Sequence, residues 1–480
     1  MPPRPALPAA LVDALRAALG DSLRLDPAEL VTYAFDNSRR HALPDAVALP
    51  TDAAQVVAIV RACRAHRVPV VARGRGTNTT GATVPVEGGV VVSFERMDRI
   101  LAIRPGDRVA VVQPGVLNGD LQQALAPHGL AWPPDPTSAA YSTVGGNLAC
   151  NAGGPRAVKY GASRDNVLAL VAVTGTGEIV RCGAPTTKGA TGYDLSRVLV
   201  GSEGTLALIV EATLRLTPVA ARRRVLRALY RDVGSAAAAV ARLMAQPVTP
   251  SMLEMMDGHC VGLVRAAGVA LPDDVGALLL VEADGDGAAL DADIATLARI
   301  ADGDGCLAVE VAADDDAQGS AGTAGGRMPG AAAGREALWA ARKSLSPALR
   351  TLAPGKINED VVVPVSRIPD LVARVEDIAA RAALPIVCFG HAGNGNLHVN
   401  ILFDPADAAQ QVRADAALGE VFDAVIALDG QLSGEHGIGL AKRGFMAKAV
   451  DAPTLALMRG FKQLFDPDGI LNPGKVLPEP

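Results

Sequence analysis

Three of the chain's seven histidines fall in two short glycine-rich segments, His391-Ala-Gly-Asn-Gly-Asn-Leu-His398 and Ser433-Gly-Glu-His-Gly-Ile-Gly439. A lone histidine is more often a satisfied polar residue than a ligand, but a cluster reads differently. Two neutral imidazoles and one carboxylate, with a coordination position left open, suit Zn²⁺, Mn²⁺ or Fe²⁺. The first segment is too rich in glycine for a helix. Its two imidazoles would be brought together by a loop folding back on a strand that starts near Leu397, on which His398 and Asn400 share a face. Upstream, Glu336 to Ser346 reads as a helix that places Arg342 and Ser346 one turn apart on one face.

A second set of residues lies in the N-terminal half. Arg73-Gly-Arg-Gly-Thr-Asn-Thr-Thr-Gly81 leaves a predicted strand, so its backbone N–H groups can form a cradle for a pyrophosphate. It lacks the dinucleotide G-x-G-x-x-G pattern, since Thr79 stands at the last glycine, and it lacks the Gly-Lys-Ser/Thr ending of a P-loop. Taken alone, a tight turn that binds nothing explains it equally well. Three further segments shift the balance: Pro134-Asp-Pro136, then Ser142-Thr-Val-Gly-Gly-Asn147 leading to Asn151-Ala-Gly-Gly154, and Gly201-Ser-Glu-Gly-Thr205. Small residues recur where a backbone would pass close to a large flat ligand.

In order and sequence these segments resemble the FAD-binding domain of the vanillyl-alcohol oxidase and p-cresol methylhydroxylase superfamily. The C-terminal half is similar to the branch of D-lactate dehydrogenases, glycolate oxidase subunits and D-2-hydroxyglutarate dehydrogenases. The resemblance implies that Arg73, Gly74, Arg75, Gly76, Thr77, Asn78 and Thr79 hold the FAD pyrophosphate. It implies that Pro134, Asp135, Ser142, Thr143, Gly145, Gly146, Asn147 and Gly153 line the flavin, and that Gly201, Glu203, Gly204 and Ile209 pack near the adenine. Some relatives attach FAD through a histidine in the first loop; this loop has none, so non-covalent FAD is expected. The resemblance further implies metal ligation by His391, His398 and Glu435, with zinc the first choice, and a catalytic base at His436. Arg342 would grip a substrate carboxylate bidentately, with Ser346, Lys356 and Asn400 beside it. Two departures stand out. Asn394 occupies a position where relatives often carry Asp, which weakens metal affinity without removing a ligand, and the spacing from Arg342 to Lys356 is not plainly that of the family.

The elements that must position these groups follow from periodicity. Val12, Leu15 and Leu19 fall at helical spacing, as do Val56, Ile59, Val60 and Cys63 within Gln55 to His66. Strands are expected at Val68 to Ala72, Val90 to Phe94, Arg108 to Gln113, Val167 to Thr174, Leu206 to Leu216, Ala277 to Glu282, Cys306 to Val311, Asn358 to Val363 and Ile386 to Gly390. A helix starts near Ile368. Glu282 to Gly287, with Asp293, faintly echoes a calcium loop but follows a strand and not a helix, so it reads as a strand end with an acidic turn. Ala312 to Gly334 is dominated by Ala, Gly and Asp and reads as an insertion loop.

The fold class implied is α+β, in three parts. Residues 1–218 form a two-part FAD-binding domain, 219–428 an α+β substrate (cap) domain with an antiparallel sheet, and 429–480 a C-terminal segment returning to the active site. At 480 residues the chain exceeds what one core usually organises. A formal net charge of −6 with no basic stripe excludes nucleic acid as a partner. No run reaches the roughly 18 to 20 apolar residues needed to span a bilayer, so a cytoplasmic protein is expected, with peripheral membrane contact left open. The scattered cysteines argue against thiolate metal sites.

The activity expected is FAD-dependent oxidation of a D-2-hydroxy acid to the 2-oxo acid. D-Lactate is the first choice, with D-2-hydroxyglutarate and glycolate next. The electron acceptor would be a quinone, a cytochrome or an electron-transfer flavoprotein, and a homodimer is an allowed state. Two competing readings are a non-redox enzyme resembling alkyl-dihydroxyacetone-phosphate synthase, whose run of adjacent histidines is absent here, and a non-catalytic FAD-binding subunit of an oxidase complex.

Overall fold

Val47, Val91 and Val71 sit in register across three parallel strands, Ala46–Ala48, Val90–Ser93 and Val70–Arg73. Strands covered on both faces read as near-continuous apolar runs, and Ala-Val-Ala, Val-Val-Val and Val-Val-Ala are such runs. Leu23–Arg24 adds an antiparallel edge to complete a four-stranded sheet. The helix Ala53–Ala65 packs on it, opened by Asp52, whose side chain accepts the Gln55 N–H at 2.9 Å. The helix Ala9–Leu19 buries Leu11, Leu15 and Leu19. Leu11 therefore replaces the expected Val12 on the inner face. The C-terminal residues Ile470 and Leu471 join the same core, because Val70 donates to the Ile470 carbonyl at 2.8 Å and accepts from the Asn472 N–H at 2.7 Å.

The computed structural model describes residues 6–312, 345 and 348–479. Its chain divides into two units: Met1–Gly154 with Gly161–Val219 and Glu435–Pro480, and Pro155–Tyr160 with Ala220–Gly434. The first unit contains, besides the parallel sheet, a five-stranded antiparallel sheet in the order Ile100–Arg104, Val109–Val112, Ala207–Arg215, Val167–Thr174, Ile179–Gly183. Its core buries Trp132, whose indole N–H donates to the Asn166 carbonyl at 2.9 Å. Val144 and Leu148 enter that core from a helix, Val144–Cys150, that periodicity does not announce. Two adjacent glycines hide it, and the Thr143 hydroxyl starts it by accepting the Gly146 N–H at 3.1 Å.

The second unit is built on a seven-stranded antiparallel sheet. Its order is Cys306–Val311, Arg222–Tyr230, Ala277–Gly285, Met252–Met256, Ile386–Gly390, Asn396–Phe403, Gly355–Val362. The helices Val233–Met244, Gly287–Ala301, Ile368–Ala382 and Ala408–Ile426 pack on this sheet. Leu229, Leu278, Met256, Phe389 and Leu402 form one apolar cluster with the helix Gly258–Ala266 and with Leu345 and Leu349. Residues directly opposite in an antiparallel pair share a face. Phe389 pairs with His398 and His398 with Asp360, while Asn400 pairs with Asn358 and Leu402 with Lys356. The apolar face therefore runs on into a polar row, Asp360, His398, Asn400, Asn358 and Lys356, at the end of the sheet.

The strand from Ala277 continues to Gly285 instead of stopping at Glu282. Its acidic end has partners on the Pro155–Tyr160 segment: Arg156 lies 3.4 Å from Glu282, Lys159 2.5 Å from Asp284, and the Tyr160 hydroxyl donates to Asp284 at 2.6 Å. The expected helix from Glu336, with Arg342 and Ser346, and the insertion from residue 313 onward lie outside the described residues.

Candidate active site

The first glycine loop is organised by its own side chains. Arg73 is buried, and its guanidinium donates to the carbonyls of Phe35 (2.7 Å) and Thr32 (3.3 Å) and to the Thr83 hydroxyl (3.3 Å). Burial lowers its pKa against the pull of Asp36. Asn78 is a turn builder. Its carbonyl oxygen accepts from Thr80 N, Thr80 Oγ1 and Ala82 N, while its amide donates to the His436 carbonyl at 2.8 Å. Arg75 is exposed. At Gly74 a Cβ would lie 2.5 Å from Thr143 Oγ1. The missing side chain is what brings this loop against the start of the helix Val144–Cys150.

The second and third segments meet around that helix. Asp135 donates through its N–H to the Gly153 carbonyl at 3.0 Å, and the Pro134 carbonyl accepts from Asn118 Nδ2 at 3.0 Å. At Gly145 a Cβ would meet Pro114 at 2.5 Å. The N–H groups of Gly201 and Glu203 donate to the carbonyls of Leu148 and Ala149 at 2.9 Å each, satisfying orphan acceptors at the helix C-terminus. Gly204 packs on Ala72, and Ile209 is buried in the five-stranded sheet. Glu203, which sequence resemblance places near the adenine, turns its carboxylate to the backbone N–H groups of Ile438 (2.6 Å) and Gly439 (2.9 Å). Burial raises its pKa to about 7, against those two bonds and Lys442 and Lys475.

Three buried polar atoms among these residues have no hydrogen-bond partner: Thr79 Oγ1, Ser142 Oγ and Asn147 Nδ2. Buried polar groups are nearly always satisfied in native proteins. Three orphans drawn from two glycine segments that meet at Gly74 and Thr143 fit a polar cofactor that supplies the missing partners.

The histidine cluster belongs to the polar end of the seven-stranded sheet. His391 follows Gly390, and its ring lies perpendicular to that of His398, with centroids 5.3 Å apart. Both are buried. The loop between them forms a single 3₁₀ turn, Ala392–Asn394. His391 Nδ1 lies 2.5 Å from Oε1 of Glu254, a fully buried residue in the strand Met252–Met256. Asp360 fastens the segment that carries the carboxylate. It accepts from Ser433 Oγ at 2.8 Å, Asn396 Nδ2 at 2.6 Å and the Gly434 N–H at 3.0 Å to each oxygen. Glu435 is one peptide further on. Ligand atoms of His391, His398 and Glu435 all lie within 4.8 Å of one another. Two imidazoles and a carboxylate at that spacing fit a borderline divalent cation. Asn400 is fully buried; its amide donates to the carbonyls of Val387 (3.2 Å) and His398 (3.1 Å), and its Oδ1 has no partner. Lys356 is partly buried two places along from Asn358 in the same row.

Residues 219–476, more than half the chain, match the family model described as FAD linked oxidases, C-terminal domain. Residues 44–183 match the FAD binding domain. The chain belongs to the FAD-linked oxidase family. It is 37% identical to the glycolate oxidase subunit GlcD of Bacillus subtilis over 93% of this chain and 92% of that one. It is 33% identical to a D-lactate dehydrogenase of Anaerostipes hadrus, covering 96% and 94% of the two chains. The D-2-hydroxyglutarate dehydrogenase of Xanthomonas citri pv. viticola is also 33% identical, with 95% and 94% covered. Among solved structures, p-cresol methylhydroxylase with substrate bound superposes with a TM-score of 0.77 at 17% identity, covering 97% and 96% of the two chains, which fixes the fold.

This FAD-linked oxidase is thus an oxidoreductase with an α+β architecture and an FAD-binding domain of the p-cresol methylhydroxylase type. Among the described residues no helix is long and apolar enough to cross a membrane. Two acidic residues that sequence reasoning passes over prove central to the geometry, Glu254 and Asp360. The available signal was a single acid inside an apolar strand: Glu254 is the one charged residue in Met-Leu-Glu-Met-Met. With no histidine in the first glycine loop, precipitation of the holoprotein with acid is expected to release all its flavin into the supernatant, read by absorbance; flavin retained in the pellet contradicts non-covalent binding.

Proposed function

We propose that this oxidase converts a D-2-hydroxy acid, D-lactate first, to the corresponding 2-oxo acid. The observation that carries the reading is the convergence of His391, His398 and Glu435, with His436 the next residue in the chain. FAD, when bound, supplies a hydride acceptor that no protein side chain can replace. A divalent ion held by the three ligands would supply Lewis acidity toward the substrate hydroxyl.

The remaining tasks belong to side chains. By family resemblance Arg342 would grip the substrate carboxylate, with Ser346, Lys356 and Asn400 as further substrate contacts. His436 takes the hydroxyl proton as general base. The alcohol therefore loses one proton and one hydride. The two electrons left on the enzyme pass to an outside acceptor such as a quinone, a cytochrome or an electron-transfer flavoprotein. Thr79, Ser142 and Asn147 would hold FAD through the atoms that lack protein partners.

A stopped-flow screen tests the reading. D-Lactate, D-2-hydroxyglutarate and glycolate are mixed anaerobically with the holoenzyme before and after chelation. Rapid bleaching by at least one acid, lost on chelation and restored by Zn²⁺ or Mn²⁺, is expected. Bleaching that ignores the chelator removes the metal from the mechanism, and no bleaching by any 2-hydroxy acid removes the substrate class.

A further inference from the structure

We propose that Glu254 is the positioning residue of the metal cluster, holding His391 so that Nε2 and not Nδ1 faces the ion. The inference rests on the reading of His391 as a ligand and adds to it a residue from a different strand. Glu254 stands in the middle of Met252–Met256, where all five residues are buried, and opposite Leu280 on the neighbouring strand. A fully buried carboxylate in apolar surroundings is costly unless a partner compensates it. His391 Nδ1 lies 2.5 Å from its Oε1.

The backbone enforces this pairing. The strand Ile386–Gly390 is bonded to Met252–Met256 through Met255 and Met256, which pair with Gly390 and Phe389. His391 therefore leaves the sheet beside Glu254. At Gly390, φ is +159° and a Cβ would lie 2.6 Å from the Asn396 carbonyl oxygen. Glycine thus lets the chain turn back toward His398 without a side chain between the two strands. An imidazole that donates its Nδ1–H to a carboxylate must present the Nε2 lone pair on its other edge. The ring is fixed in tautomer and direction before an ion arrives. The negative charge also makes that lone pair a stronger donor, the usual service of a carboxylate behind a ligating histidine.

Zn²⁺ and Mn²⁺ affinities of the FAD-loaded full-length protein, measured by competition with a chromophoric chelator, test the inference. Glu254→Gln keeps the size of the side chain and one acceptor oxygen but removes the charge. It is expected to weaken binding about 10- to 100-fold, the usual effect of losing such a partner, with FAD content and the melting temperature of the metal-free protein unchanged. A residue with a merely structural role would move the melting temperature and leave the affinity alone. Wild-type affinity in Glu254→Gln overturns the role of Glu254 while leaving the metal site standing. Absence of binding by the wild type overturns both. If the Gln variant fails to fold, Glu254→Asp, which keeps the charge but withdraws it by one methylene, is expected to lose affinity to a similar extent; unchanged affinity there also counts against the proposal.

Discussion

His436→Ala is expected to slow anaerobic flavin reduction by the best 2-hydroxy acid about 10²- to 10⁴-fold, the range that general base catalysis supplies, while FAD stays bound. The backbone around His436 gives this prediction its sharpness. Its carbonyl accepts from Asn78 Nδ2 at 2.8 Å, and two and three residues on, the N–H groups of Ile438 and Gly439 donate to the buried carboxylate of Glu203. At Gly437 a Cβ would lie 2.5 Å from that carboxylate. These contacts run through the backbone of residues 436, 438 and 439, so they persist in the alanine variant. Flavin absorbance and melting temperature should match the wild type, and only the reduction rate should fall. Near-normal reduction would sink the base assignment. Loss of FAD would instead make His436 part of the cofactor's support.

What could be read in the sequence and what could not divide along physical lines. Strands at Val167–Thr174, Cys306–Val311 and Ile386–Gly390 match the ends set by their β-branched runs and flanking breakers. Local composition decides such elements, and it is printed in the chain. The helix Val144–Cys150 escaped because Gly145 and Gly146 are poor helix formers. Its stability comes from the Thr143 cap and from tertiary contacts, with Gly201 and Glu203 closing its far end. Acids at Glu282 and Asp284 look like a turn until Arg156, Lys159 and Tyr160 arrive from more than a hundred residues away. The candidate site divides in the same way. His391, His398, Glu435 and His436 announce themselves through glycine-rich surroundings and family resemblance. Glu254 and Asp360 serve the same cluster from ordinary strands, and only the register of the sheet brings them to it.

Asp360→Ala is expected to have the largest effect on stability. The carboxylate is fully buried and receives Ser433 Oγ, Asn396 Nδ2 and the Gly434 N–H. Gly434 can approach so closely only because it lacks a side chain; a Cβ there would lie 2.6 Å from Asp360 Oδ1. Alanine removes the acceptor of these donors, of which Asn396 is buried and Ser433 and Gly434 are partly buried, at about 1–3 kcal/mol for each group left unsatisfied. A loss of about 3 kcal/mol or more in urea denaturation follows, and a change under about 0.5 kcal/mol, typical of a neutral surface site, would show that the segment is held elsewhere. Asp360→Asn should be nearly as damaging, since its amide presents a donor where only donors arrive. Metal affinity should fall together with stability in both variants, because Glu435 follows the released Gly434. That coupling separates Asp360 from the other two sites: Glu254→Gln loses affinity at constant stability, and His436→Ala loses rate at constant affinity.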